Sequence, residues 1–151
     1  PDAGASWPST LRVLAVDAPE AEIATAPPGA FYLVMTHSHD LDFRLGEAIL
    51  RRADAALPPD SLRARPPEGV PAPSERPRGT DIGWFGLIGS ATKRARFVRR
   101  WRERGVSDAA LAQLVCPVGI PGIPGKAPEV IAASVTAQLL QVAARGGGPA
   151  S

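Results

Sequence analysis

The chain has 151 residues, of which 44% are hydrophobic and 21% are charged, an ordinary composition for one globular domain. We find no apolar run of the roughly 18 residues that a membrane span needs, and no basic stretch leading into an apolar one, as in a secretory signal. With Cys116 as the single cysteine, neither an intramolecular disulfide nor a cysteine-pair zinc site can form. These features predict a cytoplasmic protein in a reducing compartment.

The charge of the chain is small but unevenly distributed. The formal net charge is +2, yet residues 93–104 hold seven cations and one anion, so the remaining residues are slightly acidic. A basic segment on such a body favours one anion-facing surface over a protein that binds nucleic acid with its whole surface.

Strand and helix patterns alternate in the first part of the chain. The segments Leu11–Val16 and Phe31–Met35 predict strands, and the unbroken apolar run of the second is typical of a strand buried on both faces of a parallel sheet. Residues 19–26 predict a helical turn. A helix follows the second strand and ends near Arg52, with Ser38 or Asp40 as its cap.

The alternation resumes after a stretch of different composition. Residues 53–80 contain seven prolines and no aromatic residue, which predicts a flexible insertion or linker. Residues 82–88 then predict a strand and residues 91–104 a helix, followed by a short helix after Ser107, a brief strand at 115–116 and a final helix from Pro128. This order predicts an α/β fold with a parallel sheet.

Ligands of such sheets bind outside the carboxyl ends of the strands, where the segment Gly89–Arg94 opens a helix. Helix N-termini bind anions, since their N–H groups are unpaired and the helix dipole is positive there. Ser90 can cap this helix or donate to an anion, while Lys93 and Arg94 add positive charge. An anion site and a solvated, arginine-rich helix face are equally compatible with this pattern.

The segment Thr36–Asp40 follows another predicted strand and contains both histidines, His37 and His39. Three interpretations stay open: contact with an organic ligand, a structural turn, or a weak metal site. For Cys116, a small buried side chain is favoured over a reactive thiol. We find no pattern that assigns a nucleophile or a general acid, and we therefore predict no catalytic residue and no metal ligand.

Three segments together resemble a known family. Residues 31–43 (FYLVMTHSHDLDF), 84–97 (WFGLIGSATKRARF) and 114–140 (LVCPVGIPGIPGKAPEVIAASVTAQLL) are similar, in this order, to the C-terminal Rossmann-like domain of the xanthine dehydrogenase accessory protein family, XdhC. The resemblance implies a Rossmann-like parallel sheet with flanking helices, which we expect to be incomplete at the N-terminus. It divides the chain into residues 1–52 and 81–144 as the two parts of this domain, a proline-rich insertion at 53–80, and a flexible tail at 145–151.

The resemblance also implies a function. Members of the family are chaperones that bind the molybdenum cofactor (molybdopterin) transiently, support its sulfuration together with a cysteine desulfurase, and insert it into an apo-xanthine dehydrogenase or a related molybdenum hydroxylase. The near-neutral charge and the lack of a long apolar run predict no nucleic-acid and no membrane partner, and self-association into a homo-oligomer stays open. The positions that it suggests for cofactor binding are Thr36, His37, Ser38, His39, Gly89, Ser90, Lys93 and Arg94.

Two other functions remain as alternatives. A nicotinamide-dependent oxidoreductase would suit a Rossmann-like sheet, but the chain lacks the G-x-G-x-x-G fingerprint at a strand–helix turn. A protein-interaction module could use the arginine-rich helix against an acidic surface or nucleic acid, although the near-neutral net charge disfavours nucleic acid.

Overall fold

The computed structural model describes residues 10–57, 81–123 and 127–145. Three strands form one parallel sheet in the order β1-β2-β3, which confirms the predicted Rossmann-like α/β class. In chain order the elements are α1 (Pro19–Thr25), β1 (Ala30–Val34), α2 (His39–Ala56), β2 (Ile82–Leu87), α3 (Ala91–Glu103), α4 (Asp108–Leu111), β3 (Leu114–Val115) and α5 (Pro128–Arg145).

Serine caps begin the two helices that follow β1 and β2. The Ser38 hydroxyl oxygen accepts a hydrogen bond from the Leu41 N–H at 3.2 Å, and the Ser90 hydroxyl oxygen accepts one from the Lys93 N–H at 3.2 Å. Each cap satisfies one of the N–H groups that a helix start leaves unpaired. Both strand–helix turns are thus fixed at the carboxyl end of the sheet, and Ser38 rather than Asp40 is the cap of α2.

The core lies between the sheet and the helices α2 and α3. Phe85 of β2 and Trp101 of α3 are fully buried, and the Trp101 indole stacks on the Phe43 ring with centroids 5.4 Å apart. The indole N–H donates to the Phe43 carbonyl oxygen at 3.1 Å. This aromatic cluster approaches α2 at Gly46, where an added Cβ would lie 2.4 Å from the Trp101 ring. Only glycine permits so close an approach of the indole to the helix.

The predicted strand at Leu11–Val16 is wrong. These residues form no strand, and Leu11, Val13, Leu14 and Val16 are all exposed. A segment with strand propensity forms a strand only when a neighbouring strand pairs with it. In the described sheet β1 pairs with β2 alone, so Leu11–Val16 does not pair with its free edge. For the same reason β1 is not buried on both faces, and its Phe31 and Leu33 side chains are 42% and 37% exposed.

The other predicted elements are present, with shifted ends. Helix α2 continues to Ala56 rather than ending near Arg52, because Ala53 is fully buried in the core. The predicted insertion at 53–80 therefore begins inside a helix, and its residues 58–80 lie outside the described residues, as do residues 146–151 of the predicted tail. No helix in the described ranges combines the length and apolar character required to cross a bilayer.

Candidate functional site

An ion pair joins the two segments that the sequence analysis placed at the carboxyl edge of the sheet. The Lys93 Nζ atom lies 2.6 Å from the Asp42 Oδ2 atom and 3.0 Å from the carbonyl oxygen of Ile88. The other carboxylate oxygen, Asp42 Oδ1, accepts hydrogen bonds from the Thr36 N–H at 3.0 Å and from the Thr36 hydroxyl at 2.8 Å. The ends of β1 and β2 are therefore linked through one buried carboxylate.

This arrangement gives Lys93 a different setting from the one the sequence analysis expected. Its side chain is 12% exposed and that of Asp42 is 1% exposed, so the ammonium group is directed into the protein and its charge is balanced there. A buried charge without a partner is costly, which explains the pairing. Lys93 thus orients the start of α3 relative to the end of β1.

Sequence reasoning missed Asp42 as a site residue. Its position carries a signal, since it precedes Gly46 by four residues and Ile49 by seven on α2, and all three are buried. A carboxylate on the buried face of an amphipathic helix requires a partner. The partner, fifty-one residues along the chain, is visible only in the tertiary structure.

The remaining residues after β1 divide into two groups. The Thr36 hydroxyl oxygen also accepts a hydrogen bond from the Ser38 N–H at 3.1 Å, so Thr36 and Ser38 build a structural turn. His37 and His39 are exposed, and within the described residues their side chains form no hydrogen bond or ion pair. The described part of the chain contains no group of three or more metal-ligating residues placed to hold a metal ion. The two imidazoles are available to a ligand at this edge.

The third strand contributes Cys116 to the same edge. Its Sγ atom lies 3.9 Å from the Ser90 carbonyl oxygen, next to the start of α3, and the residue is 9% exposed. Burial raises the pKa of the Cys116 thiol, and the positive charges of Lys93 and Arg94 offset part of this shift. Cys116 is thus a small buried side chain, as favoured from the sequence, with a thiol that stays protonated near neutral pH.

Gly89, Ser90 and Arg94 surround the N-terminus of α3. Gly89 is in close contact with the Lys93 side chain, and Ser90 is exposed and serves as the cap. Arg94 is half-buried, and its charge acts on Cys116. In the described ranges its guanidinium group forms no ion pair. The edge therefore combines one unbalanced cation with a helix N-terminus, which is the chemistry of an anion site.

A separate depression of about 430 Å³ lies at the amino end of the sheet, where Asp81 precedes β2. Helices α1 and α2 form its walls. Its charged groups are already paired, since Arg52 lies 2.6 Å from Asp81, Arg51 lies 2.7 Å from Glu47, and the Glu20 carboxylate lies 2.9 Å from Arg44. The depression therefore offers an anion no free cation comparable to Arg94.

The fold defines the class of the protein, a Rossmann-like α/β domain with polar and charged side chains at the carboxyl ends of its parallel strands. The family model described as the XdhC Rossmann domain matches residues 73–139, which include Gly89–Arg94. The match confirms the resemblance drawn from the sequence over residues 73–139, which hold the second of its three segments and nearly all of the third.

One curated relative is similar to part of the chain. The uncharacterized protein YqeB of Escherichia coli (strain K12) is 44% identical over 61 residues, which are 40% of this chain and 11% of the relative. The similarity therefore concerns one domain-sized segment of a much longer protein.

Proposed function

We propose that the chain belongs to an XdhC-type accessory protein and holds the molybdenum cofactor transiently, as cargo, at the carboxyl edge of its sheet. The match of residues 73–139 to the XdhC Rossmann domain carries this proposal. The geometry supports it, because Lys93 and Asp42 bring both predicted segments to one edge. In this proposal the protein supports sulfuration of the cofactor by a cysteine desulfurase and its insertion into a xanthine dehydrogenase-type hydroxylase.

The phosphate of molybdopterin is the group that this edge suits best. The N-terminus of α3 supplies N–H donors and a positive dipole, and Arg94 supplies a guanidinium group that can bind two phosphate oxygens. We expect Lys93 to act indirectly, because Asp42 already balances its charge. We expect His37 and His39, which are exposed in the segment after β1, to contact the pterin ring system.

Binding and transfer, rather than catalysis, fit the groups at this edge. The Cys116 thiol is buried with a raised pKa, which makes it a poor nucleophile at neutral pH. The histidines lie in an open position, without a carboxylate partner among the described residues to orient them for proton transfer. A cytoplasmic location belongs to the same proposal, since the single cysteine requires no oxidising compartment.

The binding step is tested by titrating the whole chain with molybdopterin and comparing Arg94→Ala with Arg99→Ala. Both changes remove one arginine from α3, but Arg99 is 80% exposed and is already paired with Glu103 at 2.9 Å. Loss of one charge-assisted phosphate contact should weaken binding by about tenfold for Arg94→Ala, with little change for Arg99→Ala. Equal affinities of the two variants, or no binding by the unsubstituted chain, would contradict the proposal.

The transfer step needs a separate measurement. Apo-xanthine dehydrogenase mixed with molybdopterin and a cysteine desulfurase should regain activity faster when the chain is present. The Arg94→Ala variant should give a smaller acceleration than Arg99→Ala. If the chain binds the cofactor but leaves the rate of activation unchanged, it stores the cofactor without delivering it.

A further inference from the structure

The arginines of α3 differ in whether a carboxylate balances them. Arg99 pairs with Glu103 at 2.9 Å, Arg102 with Asp108 at 2.6 Å, and Arg104 with Glu47 at 2.9 Å. Within the ranges that the structure describes, neither Arg96 nor Arg100 contacts a carboxylate, and both are exposed. Together with Arg94 at the carboxyl edge of the sheet, Arg96 and Arg100 are therefore the arginines of the basic segment that no carboxylate balances within the described residues.

Arg96 and Arg100 are neighbouring cations on one side of α3. They are four residues apart on α3, so they lie on one face with about 6 Å between their Cβ atoms. The Arg100 guanidinium group lies 4.1 Å from the centroid of the Phe43 ring, a cation–π contact that fixes its orientation and leaves its N–H edges accessible. Like charges at this spacing destabilise a helix, and an opposite charge would relieve the repulsion.

We propose that Arg96 and Arg100 form a docking site for an acidic segment of a partner protein. A guanidinium group binds a carboxylate through two parallel hydrogen bonds, so two carboxylates on adjacent turns of a partner helix match this pair. The two guanidinium groups, which no carboxylate of the described residues balances, complement the negative charge of such a segment. The site is separate from the cofactor edge, since Arg100 and its neighbour Arg96 lie on the side of α3 that faces Phe43 of α2, and Arg94 lies on the side near Cys116.

The surroundings favour a protein over a nucleic acid. Arg99 and Arg102 are already paired with Glu103 and Asp108, so a continuous phosphate backbone running along the helix would have to break these ion pairs to gain further contacts. Single-stranded nucleic acid is also held by bases stacked on exposed aromatic rings, whereas the aromatic rings of this helix, Phe97 and Trp101, are buried. Two carboxylates of a protein segment need neither a continuous row of unpaired cations nor an exposed aromatic ring.

The experiment measures binding of fluorescein-labelled poly-L-glutamate to the whole chain by fluorescence anisotropy. The test variant is Arg96→Gln combined with Arg100→Gln, and the matched control is Arg99→Gln combined with Arg102→Gln. Both variants lose two positive charges from the same helix, but the control removes arginines that are already paired. We expect binding to weaken by at least about tenfold in the test variant and by less than about twofold in the control.

Other outcomes overturn the proposal. Equal weakening in both variants would mean attraction by net charge alone, and stronger displacement by an oligothymidylate than by unlabelled poly-L-glutamate would assign the pair to nucleic acid. If the double variant unfolds, the single variant Arg96→Gln is used for the test instead. The Arg96 side chain forms no hydrogen bond or ion pair within the described residues, so its replacement should leave the fold intact. The affinity of this single variant must then fall below that of Arg99→Gln. No cofactor is present, so this result is independent of the proposed function.

Discussion

Lys93 Nζ lies 2.6 Å from Asp42 Oδ2, and this contact joins the first turn of α3 to the first turn of α2. Both helices begin where a strand ends, so the ion pair also fixes the distance between the ends of β1 and β2. The carboxylate is satisfied on its other side by Thr36. One buried pair thus holds the geometry of the edge where we place the cofactor.

Replacing either member of this pair should destabilise the protein. Asp42→Ala leaves the ammonium group of Lys93, which is 12% exposed, without a balancing charge, and we expect a loss of about 3–5 kcal/mol in the free energy of unfolding. Urea unfolding of Asp42→Ala, Lys93→Met and the double variant measures the coupling. The double variant should lose less than the sum of the single losses, whereas additive losses would show that the two groups do not interact.

Gly46→Ala should destabilise α2, although alanine is the better helix former. In an exposed helix the change would stabilise by about 0.5–1 kcal/mol. Here the new Cβ would lie 2.4 Å from the Trp101 ring and 3.3 Å from Phe85, and overpacking of this kind costs about 1–3 kcal/mol. Thermal unfolding should show a lower midpoint for the variant, and a raised midpoint would mean that the indole can move away without cost.

Glu47 should make the protein sensitive to acid. Burial alone would raise the pKa of its carboxyl group, but hydrogen bonds from Arg104 and Arg51 outweigh burial and lower that pKa below its ordinary 4.5. A carboxylate whose pKa is lower in the folded state stabilises the protein fully above its unfolded pKa, and this contribution is lost as the pH falls through the folded pKa. The Glu47→Gln variant should therefore be less stable than the unsubstituted chain at neutral pH.

The difference between these two proteins should shrink as the pH is lowered below 4.5, the ordinary pKa of a glutamate carboxyl group. Urea unfolding at several pH values measures it, with Glu129→Gln as the control, because Glu129 is exposed at the start of α5. A difference that stays constant with pH would mean that Glu47 acts through packing rather than charge.

Cys116 should react slowly with iodoacetamide in the folded protein. Burial raises the pKa of the thiol above its ordinary 9.0, and the charges of Lys93 and Arg94 lower it in part. Since the thiolate is the reactive form, the pH midpoint of alkylation should lie above that of the urea-unfolded chain. The Arg94→Ala change should raise the midpoint further, while Arg99→Ala should leave it in place. A midpoint lowered by Arg94→Ala would contradict this placement of the charge.

Local signals in the sequence predicted most of the elements. The apolar run at 31–35 and the serine caps at Ser38 and Ser90 correspond to β1 and to the starts of α2 and α3. Capping and periodicity involve neighbours within a few residues, so one sequence suffices to recognise them. The motif segments also sufficed to identify the XdhC domain, which the family match at 73–139 confirms.

The sequence by itself determined the alternation of strands and helices, and with it the edge of the sheet where polar strand ends collect. Only the tertiary structure decided which cations at this edge are already balanced. Lys93 has a carboxylate partner fifty-one residues away, whereas Arg94 has none within the described residues. It also decided that Leu11–Val16 forms no strand, because hydrogen-bonding partners and buried charges depend on contacts between residues far apart in the chain.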